Sequence, residues 1–244
     1  MSNGIYVALS GAVAQEQSLD TTAQNLANAS LPGYQRTRAV FAEVLRGQAT
    51  ASAGVATPAR YAQMSQTSLD MSPGAIAVTN RSLDGVLPAG NYLAVNTPQG
   101  ERYTRAVHLD IGPGGSLRSG ALPVLGENGR PINAAPEGGA VTLSADGDGM
   151  QDGASVGRLK VVSFQDARSL SREGGTVLAA TAASGAPITQ PSSLQVGAVE
   201  QSNTETVSAM TDLVSANRVF EAFQRAIDTF RDADKRLVST VPGA

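Results

Sequence analysis

The sequence of 244 residues predicts an α+β fold. Long N- and C-terminal helices pair as a coiled coil, and a central all-β domain (a sandwich or small barrel) is inserted between them. Three patterns predict it: an apolar stripe at helical spacing near each end, and short apolar runs separated by glycine and proline turns between them. We expect residues 1–35 plus 200–244 to form the helical unit, 36–73 to form a linker or extended loop, and 74–199 to form the β-domain.

The N-terminal stripe predicts a helix over about residues 4–28. Its apolar positions lie three, four or seven residues apart, with Glu16 at the one missing position. Asn28, Pro32 and Gly33 then end the pattern. The stripe consists of Ile5, Leu9, Ala12, Leu19, Ala23 and Leu26.

The C-terminal stripe is narrower, and neither glycine nor proline interrupts it between Gln201 and Val241. Ser202 or Thr204 can cap the start of this helix. A narrow stripe is typical of coiled coils, which need a partner helix. We therefore expect the terminal helices to be firm only when neighbouring copies pack around them. The stripe consists of Leu213, Ala216, Phe220, Phe223, Ile227, Phe230, Leu237 and Val241.

The middle of the chain has the texture of a β-domain. Residues 47–60 are small and polar, without a period, and predict a linker or flexible loop. Beyond residue 74, short apolar runs alternate with glycine-rich turns, which is typical of a sandwich or small barrel. The predicted strands cover residues 75–79, 92–95, 105–111, 122–125, 140–143, 157–164 and 176–180.

Composition argues against most kinds of catalytic site. The net charge is −3, so there is no basic excess for binding nucleic acid. Cysteine is absent and His108 is the only histidine, which removes thiolate chemistry and histidine-rich metal sites. We predict a non-enzymatic protein with no catalytic residue, no cofactor and no metal. No apolar run reaches the ~18–20 residues of a membrane span, and the first basic residue is Arg36, so we also expect no cleaved signal peptide.

Three local motifs favour structural roles. The segment Asp146–Asp152 resembles a calcium loop only faintly, because Met150 and Gly157 stand where carboxylate ligands belong, and a hairpin turn is favoured there. Gly112-Pro-Gly-Gly lacks the lysine of a phosphate loop and predicts a tight turn. Alternation around residues 107–111 places His108 and Asp110 on a solvated face. A secreted calcium- or carbohydrate-binding β-module stays open as an alternative.

Four stretches of the sequence resemble the flagellar basal-body rod and hook proteins. The first is Asn25-Leu-Ala-Asn28 leading to Gly33-Tyr34, and the second is Thr79-Asn80 through Leu83-Asp84-Gly85. The third and most specific runs from Asn91-Tyr92 to Pro131-Ile132. The fourth is Val199-Glu200-Gln-Ser202-Asn203 ahead of the long helix.

Departures from the family pattern include Leu93, Pro32 and Val107-His108-Leu109. They leave the resemblance in fold intact and bear on the subtype alone. The opening residues 6–12 and the modest length favour the proximal rod member, with a distal rod or hook-type axial protein as the alternative.

The resemblance implies a structural subunit of the axial rod, which transmits torque from motor to hook. Such proteins are exported by the flagellar type III apparatus without a cleaved leader and assemble in the periplasm. The implied partners are other rod proteins, copies of the same chain and the export apparatus, with no nucleic acid and no membrane insertion.

We expect the assembly contacts to lie on the terminal helices. Phe220→Asp should leave the β-domain folded and abolish incorporation and motility. The predicted contact residues are Ile5, Leu9, Leu19, Leu26, Asn25 and Asn28 in the N-terminal segment, and Leu213, Ala216, Phe220, Phe223, Ile227, Phe230 and Leu237 in the C-terminal helix.

Overall fold

A computed structural model describes residues 2–46, 59–135 and 137–240. The chain divides into two compact units. Unit 1 comprises Met1–Leu26, Thr37–Thr67 and Thr206–Ala244, and unit 2 comprises Ala27–Arg36 and Ser68–Glu205. The α+β class is confirmed, since two helices flank a mostly β central region.

Unit 1 contains both helices and one pair of strands. Its elements are α1 (Ser2–Ala27), β1 (Thr37–Arg46), β2 (Ala59–Leu69) and α2 (Thr206–Thr240), and β1 pairs with β2. The long α2 forms because no helix-breaking residue interrupts it. Neither helix of the described residues combines the length and hydropathy that a bilayer-spanning helix needs.

The stretch predicted as a linker, residues 36–73, differs in the structure because β1 and β2 occupy much of it. The run from Thr37 to Leu45 is rich in β-branched and aromatic residues, which favour a strand. Much of the predicted loop, residues 47–58, lies outside the described residues. The expected helix cap also differs: α2 begins at Thr206, while Ser202 Oγ accepts the N–H of Thr204, before the helix (3.0 Å).

Unit 2 is built from short strands in four sheets. Its strands are β3 (Ile76–Val78), β4 (Asp84–Val86), β5 (Asn91–Thr97), β6 (Gly100–Thr104), β7 (Val107–Ile111), β8 (Leu117–Ser119), β9 (Leu122–Pro123), β10 (Val141–Leu143), β11 (Asp148–Gln151), β12 (Ala154–Arg158), β13 (Val161–Ser163), β14 (Ser171–Gly174), β15 (Val177–Ala179), β16 (Ile188–Gln190), β17 (Gln195–Val196) and β18 (Ala198–Glu200). The sheet orders are β14-β15-β6-β5-β13-β16, β17-β4-β7-β8-β9, β10-β11-β12 and β18-β3.

The central strand β5 contributes to two apolar clusters. Leu93 and Val95 belong to a cluster that also contains Val107 and Leu109 of β7, so it joins the five- and six-stranded sheets. Tyr92 and Ala94 point the other way, into a cluster with aromatic edge-to-face contacts. Successive side chains of a strand point to opposite faces, so the six-stranded sheet is buried on both sides at its centre.

Candidate assembly interface

The two helices of unit 1 pack against each other through three contacts. A Cβ placed on Gly4 would lie 3.1 Å from a ring atom of Phe230, and one on Gly11 would lie 2.6 Å from a ring atom of Phe223. Gln15 Nε2 donates a hydrogen bond to the backbone carbonyl of Ala216 (3.1 Å). The α2 partners descend as the α1 positions ascend, so the helices run antiparallel.

Apart from Gln15, the residues identified on this contact surface of α1 are small. Gly4 and Gly11 accept the phenylalanine rings because they lack a side chain, and Ala8 and Ala12 are buried beside them. Sequence reasoning missed the two glycines because a search for large apolar residues gives glycine no weight. The available signal was their spacing of seven residues, which matches that between Phe223 and Phe230.

The face of α1 turned away from α2 is apolar and exposed. Tyr6, Leu9 and Val13 are 59%, 48% and 46% exposed. They follow i, i+3, i+7 spacing and so share a face. At ~100° per residue, Val13 lies about 200° round the helix from Gly11. The α1 helix therefore has apolar residues on two opposite sides.

The same arrangement occurs on α2. Val207, Met210 and Val214 are 70%, 52% and 54% exposed, and they also follow i, i+3, i+7 spacing. Val214 lies about 200° round the helix from Ala216, which faces α1. The helix pair thus presents two apolar stripes outward, which we call the outer stripes: Tyr6, Leu9 and Val13 on α1, and Val207, Met210 and Val214 on α2.

The predicted contact residues divide between these surfaces. Ala216, Phe223 and Phe230 face α1, whereas Leu9 belongs to an outer stripe. The side chain of Leu237 and all of Val241 lie outside the described residues. The remaining apolar members are partly buried: Ile5, Leu19, Leu26, Leu213, Phe220 and Ile227.

The charged residues of α2 form exposed pairs within the helix. Arg225 approaches Glu221 at 3.8 Å, and Lys235 approaches Asp232 at 3.7 Å. Both pairs have side chains at least half exposed. Exposed pairs of this kind contribute little to stability and keep the surface solvated.

The two predicted asparagines of the N-terminal motif make contacts within the chain. Asn25 is nearly buried, its Oδ1 accepts the N–H of Thr37 (2.8 Å) and its Nδ2 donates to the carbonyl of Thr37 (2.7 Å). The amide therefore acts like a paired backbone segment at the start of β1. Asn28, in unit 2, hydrogen-bonds the side chain of Tyr34.

Three chain segments of unit 2 meet in a hydrogen-bonded group that we call the crossing cluster: Tyr34, Arg36, Asp70, Ser72 and Asn203. Asn203 Nδ2 donates to the carbonyls of Asp70 (3.0 Å) and Ser72 (2.9 Å), and Asn203 Oδ1 accepts the N–H of Arg36 (2.6 Å). The N–H of Asn203 donates to the carbonyl of Tyr34 (3.1 Å). One asparagine thus connects three separate stretches of backbone.

An ion pair reinforces the crossing cluster. Arg36 Nε donates to Asp70 Oδ2 (2.6 Å), and the N–H and hydroxyl of Ser72 donate to Asp70 Oδ1 (3.1 and 2.8 Å). Burial by itself raises the pKa of the Asp70 carboxyl, but the hydrogen bonds from Ser72 and Arg36 outweigh it and hold that pKa well below its usual range. Asp70 is therefore ionised at neutral pH.

A buried ion pair lies close by in unit 2. Arg105 and Glu200 are 4% and 5% exposed, and the Arg105 guanidinium donates to Glu200 Oε2 through Nε (2.9 Å) and through a second nitrogen. It also donates to the carbonyls of Leu87, Pro88 and Asn91. Glu200 Oε1 accepts the N–H of Gly74 (3.1 Å). The pair thereby joins distant segments of the chain.

These two charges also line a cleft of about 450 Å³ whose other walls are mostly apolar. Arg105 and Glu200 are its only charged lining residues, and they are bonded to each other. Neither group is therefore placed to act as an acid or base on a bound molecule.

A second arginine, partly buried, holds the loop before β1. Arg172 lies over the ring of Tyr34, 4.2 Å from its centroid, and donates to the carbonyls of Gln35 and Gly175. Burial lowers the pKa of Arg172 and raises that of Tyr34, where the positive charge of Arg172 opposes the rise. Burial also raises the pKa of Tyr92, whose hydroxyl donates to Gln35, to about 12.

The weak calcium-loop motif forms a hairpin. Strands β11 and β12 pair across Asp152 and Gly153, whose φ angles of 52° and 80° match the two left-handed positions of a type I′ turn. Asp148 pairs with Arg158, and Asp152 accepts the N–H of Gly139 (2.8 Å). These carboxylates are used within the protein, and the described residues contain no group of three or more potential metal ligands.

The expectation that His108 is merely solvated missed its partner. His108 Nδ1 lies 2.8 Å from Oδ1 of Asp84, a carboxylate with no exposed surface. Asp84 Oδ2 also accepts the hydroxyl of Thr79 (2.6 Å). Asp110, by contrast, is exposed and pairs with Arg81 (2.7 Å). Asp84 belongs to the resemblance motif, and its bonds to Thr79 and His108 fix the segment that leads into β4.

Comparison with known proteins agrees at both ends of the chain. A family model described as Flagella basal body rod protein matches residues 5–35, and one described as Flagellar basal body rod FlgEFG protein C-terminal matches residues 195–240. The first covers most of α1, and the second covers Asn203 of the crossing cluster and all of α2.

Relatives match along nearly the whole length. Flagellar basal-body rod protein FlgF of Escherichia coli (strain K12) is 35% identical over 247 residues, which cover 95% of each chain. FlgF of Salmonella typhimurium is 33% identical over 251 residues, 97% of each chain. Flagellar basal-body rod protein FlgG of Bacillus subtilis (strain 168) is 24% identical over 264 residues, 98% of this chain and 99% of the relative. With this extent of similarity, the chain belongs to the flagellar basal-body rod protein family and is a structural subunit of the rod.

Proposed function

We propose that the chain is a non-enzymatic subunit of the proximal rod, which assembles with copies of itself and with other rod proteins into the axial shaft between motor and hook. The observation that carries the proposal is the pair of outer stripes on α1 and α2. Each helix uses one side for its partner helix and exposes a second apolar side. Contiguous exposed apolar surface marks a site of protein association.

The size of this surface suits assembly by many weak contacts. Each of the six outer-stripe side chains is between 46% and 70% exposed, so covering it contributes about 1 kcal/mol. One pair of helices gains only about 6 kcal/mol in this way, which barely exceeds the cost of association. A subunit surrounded on several sides gains that amount repeatedly, which favours a shaft over a free dimer.

Two finer features of the fold support this proposal. The contacts at Gly4 and Gly11 and at Phe223 and Phe230 repeat at seven residues, which favours coiled-coil pairing of the helices. The apolar cluster shared by the five- and six-stranded sheets favours a sandwich-like β-domain. In the proposed rod, the helices form the inner layer and the β-domain forms the outer layer.

The proximal position is favoured over the distal one by sequence similarity. The FlgF relatives from enteric bacteria are 33–35% identical to the chain, whereas FlgG of Bacillus subtilis is 24% identical over a similar length. Export by the flagellar type III apparatus and assembly in the periplasm are part of the proposal.

The experiment is a pair of charge substitutions on the outer stripes, Val13→Asp and Val214→Asp, introduced into the native strain. Both side chains are about half exposed, so the purified variants should keep their helix content and unfolding midpoint. We expect the variants to be missing from isolated basal bodies and the cells to be non-motile. Ser215→Asp is the matched control, because it adds the same charge next to Val214 at an exposed polar position.

The substitutions test an exposed position and a partly buried position of α2 separately. Phe220→Asp targets a partly buried position and should also abolish incorporation. Normal swimming by the Val13 and Val214 variants would refute the outer stripes as assembly surfaces. A deletion strain that still builds a complete rod and swims would refute the proposed function as a whole.

A further inference from the structure

The chain passes between its two units four times, and the crossing cluster lies at three of these passages. Arg36 is the last residue of unit 2 before β1, Asp70 is two residues after unit 2 resumes at Ser68, and Asn203 lies two residues before unit 2 ends at Glu205. All the atoms of the cluster belong to unit 2. The segments that leave unit 2 are therefore bonded to one another just before they leave.

Asn203 is suited to this position because its amide has two donors and one strong acceptor. Both donors reach backbone carbonyls of the Asp70 and Ser72 segment, and the acceptor binds the backbone N–H of Arg36. Aspartate would lose both donors and place a negative charge against those carbonyls. Alanine would remove all three side-chain bonds and leave the segments joined only by the backbone bonds from Asn203 to Tyr34 and from Asp70 to Arg36 and by the Arg36–Asp70 ion pair.

Because of where the cluster lies, its hydrogen bonds should matter more for a subunit under mechanical force than for the free energy of folding. Asn203 and Arg36 are partly exposed, so water can replace hydrogen bonds that a substitution removes, at little cost in folding free energy. A bridging water exchanges freely and holds no fixed distance between two segments. Loss of the amide should therefore affect a subunit under force far more than a subunit at rest.

We propose that Asn203 is a force-sharing tie, which makes the three chain segments share force instead of passing it along one of them. The proposal rests on the proposed function, because only a shaft under torque applies such force. It assigns to Asn203 a positioning role: the residue contacts no partner in this account and acts by holding Arg36, Asp70 and Ser72 together. The Arg36–Asp70 ion pair is a weaker, parallel tie.

The test compares Asn203→Ala and Arg36→Ala with the control Asn217→Ala in the native strain. Asn217 is an exposed asparagine of α2 whose amide bonds only within its own helix, to Glu221 (3.2 Å). Swimming speed is measured in media of increasing viscosity, and isolated basal bodies are inspected by electron microscopy for broken rods. Hydrogen exchange of the Arg36 amide in the purified full chain reports the loss of the tie directly.

We expect the Asn203→Ala cells to build rods and swim at normal speed in water, and to stop at a viscosity in which the Asn217→Ala cells still swim. Arg36→Ala should fall between them, and exchange at Arg36 should rise at least tenfold in Asn203→Ala alone. If Asn203→Ala rods fail to form without load, the force-sharing role of Asn203 is refuted. Equal swimming of all three variants at every viscosity refutes it too, while leaving the rod function standing.

Discussion

Removing one partner of the buried ion pair is the sharpest test of how unit 2 is held together. Glu200→Ala leaves the Arg105 guanidinium in a site where it is 4% exposed. Breaking a buried pair in this way typically costs 3–5 kcal/mol. The guanidinium keeps three backbone carbonyls as acceptors, so we expect the lower end of that range, about 3 kcal/mol. For a domain of this size, that loss lowers Tm by about 10 °C.

The assay is thermal and urea unfolding of the purified full chain, followed by circular dichroism in the β region. Glu200→Gln should cost about half as much, because it keeps an oxygen for the guanidinium but removes the charge. Asp148→Ala is the control, because it removes the acidic partner of Arg158 at the surface, and we expect its midpoint to stay essentially unchanged.

A double-mutant cycle with Arg105→Ala tests the physical reason. If the cost of Glu200→Ala comes from a stranded charge, removing that charge as well should recover part of the loss, and the two effects should not add. Strict additivity, or a loss in Glu200→Ala no larger than that of the surface control, would refute the reasoning.

Three further predictions concern single contacts. Asp70→Asn should destabilise unit 2 at neutral pH. The pKa of the Asp70 carboxyl in the folded protein lies below the unfolded value of about 3.9, so the carboxylate stabilises the fold above pH 4. The difference in unfolding free energy between the variant and wild type, measured in urea, should therefore shrink as pH falls toward 3. Asn25→Ala should cost about 1–3 kcal/mol in unfolding free energy, because it removes the two hydrogen bonds that Asn25 makes with the N–H and carbonyl of Thr37. Gly33→Ala should lower the unfolding midpoint, because Gly33 has a φ of 69° and an added Cβ would fall 2.5 Å from the backbone nitrogen of Ala106.

The sequence could predict the two helices because their signals are local. An unbroken run without glycine or proline predicts α2, and glycine turns mark the ends of many of the predicted strands. The contact face of α1 could not be read in this way. The stripe of large residues includes Leu9, which is exposed. The side that packs against α2 contains Gly4 and Gly11, and these glycines are recognised as contact positions only when the phenylalanine rings more than 200 residues away are known.

The contacts at the chain crossings were equally hidden. Arg105 and Glu200 are 95 residues apart, and Asn203 is 167 residues from the amide it binds at Arg36. Arg105, Glu200 and Asn203 all lie in resemblance motifs, but a motif does not say which backbone group a side chain reaches. The prediction of a linker over residues 36–73 rests on the small polar residues 47–58, whereas the strand-forming residues on either side of them belong to β1 and β2.

The packing of Phe230 against Gly4 and of Phe223 against Gly11 fixes the axial register of the helix pair. Because Gly4 and Gly11 are seven residues apart, a shift of seven residues, about 10.5 Å along the helix axis, places one ring on a glycine and moves the other ring off both glycines. Any smaller displacement drives Phe223 or Phe230 onto a residue with a side chain. Axial slippage in either direction therefore loses a ring contact, and a drive shaft made of such pairs would resist axial displacement of one helix along the other.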